Sequence, residues 1–445
     1  MRQANNIFAL FVVLGAGPIL AQTTPQLDQI LAKLDRLEQE NKALLQEVEA
    51  LRSEVSALRE EPAETTPQSA ASTEQKVEIE SNRVDELDQT KVGSSQRFPI
   101  RLSGMVLFNS FLNSHESGGV DYPTVAATPG PAHDGAEIRQ TIIGLQFQGP
   151  RTLWGGTVHA SLYTDFFNSS NTLRIRTGDI GIDWKSTSIM AGVEKPIFNP
   201  RDPDSLAQVG VSPLTGAGNL WLWLPQVSVE HDFGFDPSTG IRARVGAVET
   251  HEVGPYGNAP PTTAFEADRP ALEGRFNFYH KFDDRRKIEI APGFHISTTH
   301  AGGASIPSQL VSTDWFLNPW QPLELSGVFY SGENVTNLGT GAIRQGYYFV
   351  NGIGKAIGSK GGWAQLTVHT VPRLDFHFFS GQQDDRHSEL IAGGIGKNLI
   401  FGGNAFFRLA PNVLLALEAS QLRTAYIGAV TRLNNHYDVA LAYLF

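Results

Sequence analysis

The stretch Asn435–Phe445 alternates so strictly that it limits what the rest of the chain can fold into. Tyr437, Val439, Leu441, Tyr443 and Phe445 share one face of an extended strand. His436, Asp438, Ala440 and Ala442 share the other, with Leu444 the apolar exception. Side chains on a strand point to opposite faces in turn. A strand with one apolar, aromatic-ended face and one polar face divides two environments. A half-buried strand of a soluble sheet has the same pattern, so the remaining sequence must decide between the two.

Composition narrows the choice. Hydrophobic residues make up 41% of 445 residues, too few for a bundle of membrane helices. After residue 21 no apolar run reaches the eighteen or so residues a membrane helix needs. Strands that cross a membrane escape this test, because only every second residue meets lipid. With 44 glycines and 10% aromatic residues, the chain suits many strands and tight turns. It contains no cysteine, which excludes disulfides, a cysteine nucleophile, Cys-ligated zinc and a lipid-modified N-terminal cysteine. A net charge of −11 argues against nucleic acid as a partner and against membrane attraction through basic patches.

Three segments precede the alternating part. Residues 1–21 read as a secretory signal peptide: Arg2 gives a basic start, Ile7 to Leu14 is apolar, and Gly15 to Ala21 supplies small residues. Residues 26–60 carry a heptad repeat. Leu27, Leu34, Asn41, Val48 and Val55 take position a, and Ile30, Leu37, Leu44, Leu51 and Leu58 take position d. Opposite charges sit at g and the following e, as Lys33 with Glu38, Glu47 with Arg52 and Glu54 with Arg59. This predicts a parallel homo-oligomeric coiled coil. Valine at a, leucine at d and the a-site Asn41 favour two chains, whereas Leu31 and Leu45 at e widen the seam toward three. Residues 61–97, rich in Pro, Thr, Ser and Ala at their start, form a linker.

From Phe98 to Phe445 the period is two. Candidate strands run over 99–112, 137–148, 153–166, 173–184, 188–195, 225–233, 240–250, 271–281, 286–297, 309–317, 322–331, 362–370, 373–380, 397–409, 412–423 and 434–445. That is about sixteen, an even number as a single-chain transmembrane barrel requires. Tight links alternate with long ones at 113–136, 196–224, 251–270, 332–361, 381–396 and 424–433, with the short link 167–172 the exception. The fold expected is therefore an all-β transmembrane barrel of antiparallel strands behind an α-helical coiled coil.

Strand phase then separates a lipid face from a wet interior. Leu173 and Ile175, Ile241, Ala243, Val245 and Ala247, and Leu272, Phe276 and Phe278 fall outward. Arg174, Arg176, Arg242, Arg244 and Arg275 fall inward, together with Glu273, Asn277 and Tyr279. A charge on the lipid face costs roughly 2–4 kcal/mol at the midplane, so these arginines should face water. Five inward arginines in an acidic chain make a local positive patch suited to guiding small anions. The competing reading is that they balance Glu273, Glu289, Glu324 and Glu418.

The connection 196–224 contains Pro196, Pro200, Arg201, Asp202, Pro203 and Asp204, then Gly210, Gly216, Gly218, Trp221 and Trp223. Its length and prolines suit an ordered loop folded into the barrel, with Arg201, Asp202 and Asp204 near the narrowest point. The competing reading is an external loop with Trp221 and Trp223 at a subunit contact. Motifs for catalysis are absent: there is no G-x-S-x-G, H-E-x-x-H or phosphate-binding loop, and Gly358-Ser359-Lys360-Gly361-Gly362 lacks the spacing. His159, His295, His369 and His377 fall inward, but no spacing marks any of them as a general base or a metal ligand.

The order signal peptide, coiled coil, linker and barrel of about sixteen strands resembles the DcaP-like outer-membrane porins. Gly218-Asn219-Leu220-Trp221, Pro225-Gln226-Val227, Gly361-Gly362-Trp363-Ala364 and the terminal Tyr443-Leu444-Phe445 carry the resemblance. It implies a bacterial outer membrane location, a homotrimer with a periplasmic coiled coil, and passage of small anions such as dicarboxylates. Phosphate is the neighbouring alternative. It also implies that the C-terminal aromatic is read by barrel-assembly machinery. The sequence is thus expected to encode a diffusion porin, not an enzyme, working without cofactor or metal. Its partners would be membrane lipid, further copies of itself as trimer or dimer, and small anionic solutes. The rivals are an outer-membrane barrel hydrolase and a trimeric surface adhesin or anchor.

Overall fold

The computed structural model describes residues 100–168, 170–250, 270–301, 303–340 and 344–445. The signal peptide at 1–21, the coiled coil at 26–60 and the linker at 61–97 lie outside the described residues.

Among the described residues the strands are β1 (Ile100–Asn113), β2 (His133–Glu137 continued by Ile142–Arg151), β3 (Thr157–Asp165), β4 (Arg174–Asp183), β5 (Thr187–Glu194), β6 (Leu224–Gly234), β7 (Thr239–Val248) and β8 (Ala271–Lys281). They continue as β9 (Lys287–Ala301), β10 (Ala304–Trp320), β11 (Leu323–Glu333), β12 (Gly358–Val371), β13 (Leu374–Asp385), β14 (Ile395–Ala410), β15 (Val413–Tyr426) and β16 (Arg432–Leu444). Each pairs antiparallel with the next, and β1 pairs with β16, which closes the sheet. Both halves of β2 pair with β1 and count as one interrupted strand. The closed barrel therefore has 16 antiparallel strands.

Closure needs a particular residue. The backbone amide and carbonyl of Phe445 bond to the carbonyl and amide of Gly104, at 3.1 and 2.9 Å. Gly104 adopts φ +150°, and a Cβ there would lie 2.3 Å from the carbonyl oxygen of Ile142. Only glycine allows β2 to approach β1 this closely beside the seam, where the Phe445 ring would also lie 3.2 Å from such a Cβ. Full closure removes every unpaired edge, which a membrane-spanning sheet cannot leave open.

The terminal alternation is borne out. Tyr437, Val439, Leu441, Tyr443 and Phe445 are exposed on the outside, whereas His436, Asp438, Ala440 and Ala442 are buried within. The same phase holds for Leu272, Phe276 and Phe278, all exposed. In β4 the phase is kept by a bulge. Ile175 and Ile180 are both outward although five residues separate them, an odd spacing that an unbroken strand would place on opposite faces. The register slips between Tyr163 and Thr164, leaving Arg176 as the extra residue.

Several boundaries differ from the sequence reading: the strands expected at 362–370 and 373–380 extend to Gly358 and Asp385, and the one at 137–148 starts at His133 and is interrupted. Residues 298–308 form no outer connection. β9 and β10 continue until Ala301 pairs with Ala304, because Thr298, Thr299, Ser305 and Ile306 carry the alternation onward. The strand expected from 153 begins at Thr157, since Leu153–Gly155 forms a 3-10 turn with Trp154 at φ 56°. On the short-turn side, Asp283 accepts from the amides of Arg285 and Arg286 and from the Arg286 side chain. Those bonds, the Arg286 side chain first, hold its carboxyl below the usual range.

Candidate functional site: the infolded third loop and the passage beside it

Residues 195–223, between β5 and β6, form the third outer loop, L3. It folds into the barrel. Apolar inner-wall patches receive it in three places. Ile197, Phe198 and Leu220 join a cluster with Val248, Leu310 and Tyr330 of the wall and with Val335 and Leu338 of the 334–357 connection. Leu214 and Ala217 pack with Val328, Trp363, Phe379, Ile400 and Leu422. Leu206 packs with Met105, Leu107, Ala416, Ala440 and Ala442. These patches explain why part of the inner face of a wet barrel is apolar.

Polar sockets fix the loop between those patches. The interruption in β2 turns Gln140 inward, fully buried. Its amide donates to Ala207 O at 2.9 Å, and its oxygen accepts from Val209 and Gly210 N, both at 2.7 Å. Asn109 donates to Leu206 O at 2.7 Å. Ser205 donates to Glu418 at 2.6 Å, and Asn404 to Asp204 O at 2.8 Å. At Gly218, φ +99°, the loop backbone lies so close to the wall that a Cβ would sit 2.2 Å from Gly362 O.

The arginines expected inward are inward, and their partners are now visible. Arg174 grips Asp165 with two bonds of 2.9 and 2.7 Å and also donates to Gly210 O at 2.6 Å. Arg176 donates to Asp165 at 2.7 Å and to Val209 O at 2.8 Å. Trp223 lies beneath both, its ring centroid 5.4 Å from Arg174 and 4.4 Å from Arg176. Trp221 is buried. An external contact for these two tryptophans is thereby overturned: they stack on each other and on the arginines inside the barrel.

Across the lumen, Arg275 holds Asp314 with bonds of 2.7 and 2.8 Å. Arg201 of L3 reaches Asp314 and Glu289. Asp202 pairs with Lys195 and accepts from Ser212 and Asn219, so it braces the loop from within. Asp204 accepts from Gln365 at 2.6 Å. Arg242 meets Glu230 and Asp232 at 3.4 and 3.3 Å. Arg244 differs from all of these. It stands between Glu230 and Arg275 in the ladder and donates to Ser228 Oγ and Gln226 Oε1, at 3.1 and 3.4 Å. No carboxylate among the described residues lies within ion-pair distance of it.

Balance by Glu273, Glu289, Glu324 and Glu418 is correct only for Glu289. The principal counter-charges are Asp165 and Asp314, which sequence reasoning missed. Both side chains are 0% exposed, whereas the arginines upon them are 11–29% exposed. The carboxylates sit behind and the guanidinium groups face the water. Asp314 was discoverable, since it keeps the inward phase of Leu310 and Ser312. Asp165 and Gln140 follow from contacts with L3 that no strand pattern reveals.

Glu273, His295 and Ser297 form a chain, with His295 Nδ1 2.8 Å from Glu273 and Nε2 3.0 Å from Ser297 Oγ. The order resembles a carboxylate–imidazole–hydroxyl relay. It is sealed, however: Ile197 N donates to Glu273 at 2.7 Å and the Phe198 ring stands edge-on to His295 at 6.1 Å. Both His295 and Glu273 are fully buried, so the chain is a socket for the foot of L3. His369 pairs with Asp375 at 2.8 Å and His377 with Asn404 at 2.6 Å. No group of residues among those described has metal-holding geometry.

L3 leaves one side of the barrel clear. A water-accessible cavity of 370 Å³ runs along β3–β7, lined by His159, Asp179, Asp183, Glu194, Ser228, Glu230 and Arg244. Arg244 stands on its β7 side.

Neither a family model nor a curated protein matches the sequence. Solved structures do match the fold. The outer membrane channel DcaP of Acinetobacter baumannii superposes with a TM-score of 0.63 at 14% identity, over 78% of this chain and 97% of that one. An anion-selective porin from Comamonas acidovorans superposes with a TM-score of 0.56 at 11% identity, over 78% and 99%. The fold is that of an outer-membrane porin. The likeness to DcaP-like porins drawn from the sequence therefore holds at the level of the barrel.

Proposed function

We propose that the chain is an outer-membrane porin through which small hydrophilic anions diffuse passively along the β3–β8 side of the lumen. The observation that supports anion preference is the burial order of charge at the narrow level. Arg174 and Arg176 share Asp165, while Arg201, Arg275 and Lys287 share Asp314 and Glu289. In these two sets five cations face three carboxylates, two of which are fully buried. Fixed guanidinium groups bind carboxylate or phosphate oxygens through charge-assisted hydrogen bonds. Asp179, Asp183, Glu194 and Glu230 line the same passage, and Glu230 stands directly opposite Arg244 in the ladder.

The neighbour from Comamonas acidovorans, itself anion-selective, agrees with this reading. A homotrimer tied together by the 26–60 coiled coil on the periplasmic side belongs to the same proposal. The test is the zero-current potential of the purified protein in a planar bilayer under a potassium chloride gradient. A potential near the chloride equilibrium value supports the proposal. A potential near the potassium value contradicts it.

A further inference from the structure

We propose that the outer wall of the barrel binds one phosphorylated lipid, with a chain in a groove over Gly362 and a headgroup on Lys360, Lys397 and Arg423. The proposal rests on membrane embedding and not on conduction.

The groove arises from one unfilled position. Three outward glycines each face an aromatic residue on the neighbouring strand: Gly274 faces Phe294, Gly327 faces Trp315 and Gly403 faces Phe378. A Cβ on these glycines would meet the rings at 2.4, 2.5 and 3.2 Å. A ring over a cross-strand glycine fills the gap its missing side chain leaves. Gly362 faces Phe329 and Gln382, yet the atoms nearest its missing Cβ belong to the backbone of Val328 and Phe329. The Phe329 ring stands away, 53% exposed. Ala364, next on the same outward face, stands opposite Ser380. The result is a groove of about 620 Å³ between Trp315, Phe329, Gly362, Ala364 and Leu399.

The second observation is charge directly above the groove. A tilted strand crosses hydrocarbon in about 9–11 residues. Counted up from Val371, that span ends near Gly361, and Lys360 stands just beyond it on the outward face. Lys397 shares that row of the ladder through Asp384, and Arg423, opposite Leu399, stands two rows nearer the lipid beside the groove. Lys360 and Lys397 flank Asp384 in the ladder, and His387 Nε2 lies 3.6 Å from that carboxylate. Arg423 rests on Phe401, 5.2 Å from the ring centroid. Glu333, one row further on β11, accepts from Gln309. Three fixed cations thus surround one carboxylate at the lipid boundary, where they serve no solute in the lumen. A phosphate is their complement. A second copy of the chain would have to bring an acidic surface that this region does not offer.

Native mass spectrometry of the delipidated full chain, titrated with a bisphosphorylated glycolipid and with phosphatidylethanolamine, tests the proposal. One glycolipid per chain is expected to bind. Lys360→Gln with Lys397→Gln should weaken it roughly tenfold or more, a loss of at least one charge-assisted contact. Ala364→Trp, which fills the groove from its lipid side, should abolish it while the barrel still shows heat-modifiable migration. Equal binding of both lipids, or unchanged binding in both variants, overturns the proposal. So does an Ala364→Trp variant that loses self-association but keeps the glycolipid, since the face would then be a protein interface.

Discussion

At the scale of single residues, the inward arginines divide into two kinds. Arg275 is a brace: it holds fully buried Asp314 with two bonds. Arg244, its cross-strand neighbour, has only neutral acceptors. Like charges placed directly opposite are unfavourable; Asp314 relieves one of the pair, and Glu230, opposite Arg244 on β6, lies beyond ion-pair distance of the other. An anion in the passage would relieve the other. Arg244→Gln should therefore leave thermal stability unchanged and weaken block of the current by a small dianion roughly tenfold. Arg275→Gln should cost about 1.5–3 kcal/mol, because Asp314 keeps Arg201 but loses its two charge-assisted bonds to Arg275, read as a lower temperature for loss of the compact form in a gel-shift assay. Strand phase alone placed these arginines inside. Their unequal roles were not legible, because partner choice depends on Asp165 and Asp314, which lie on other strands.

At the scale of elements, L3 and the seam carry the structure. The apolar residues Ile197, Leu214, Leu220 and Trp221 gave L3 a reason to leave the solvent, and its proline-rich start suited an ordered loop. What the sequence could not announce was the break in β2 that makes Gln140 a socket. Gln140→Ala leaves the buried amides of Val209 and Gly210 unpaired, at about 1–3 kcal/mol for each group. Single channels of this variant should be noisier and of higher conductance than wild type. At the seam, Gly104→Ala forces a Cβ against Ile142 O. The expected cost is about 1–3 kcal/mol, seen as slower folding into detergent micelles or lipid with no change of conductance once folded. The unbroken β9–β10 hairpin misled the reading because Thr, Ser and His in 298–305 look like loop composition. In a strand that extends beyond the lipid they are ordinary water-facing residues.

At the scale of the whole molecule, the barrel combines a greasy belt, a closed seam and an infolded L3 with a wet cavity along β3–β7. The belt was legible because lipid imposes a strict period of two on every strand. The cavity's place was not, because where L3 seats is decided by apolar patches spread over many strands. Oligomerisation belongs to this scale also. Deleting residues 26–60 should weaken the homo-oligomer in mild detergent, judged by native gel migration, and leave the conductance of each barrel intact. The central claim is that the barrel conducts past an infolded L3. Single-channel recording of the purified protein in a planar bilayer tests it most directly. Discrete conductance steps that grow when residues 200–218 are shortened would agree with the account. A bilayer that stays silent with correctly folded protein inserted would contradict it.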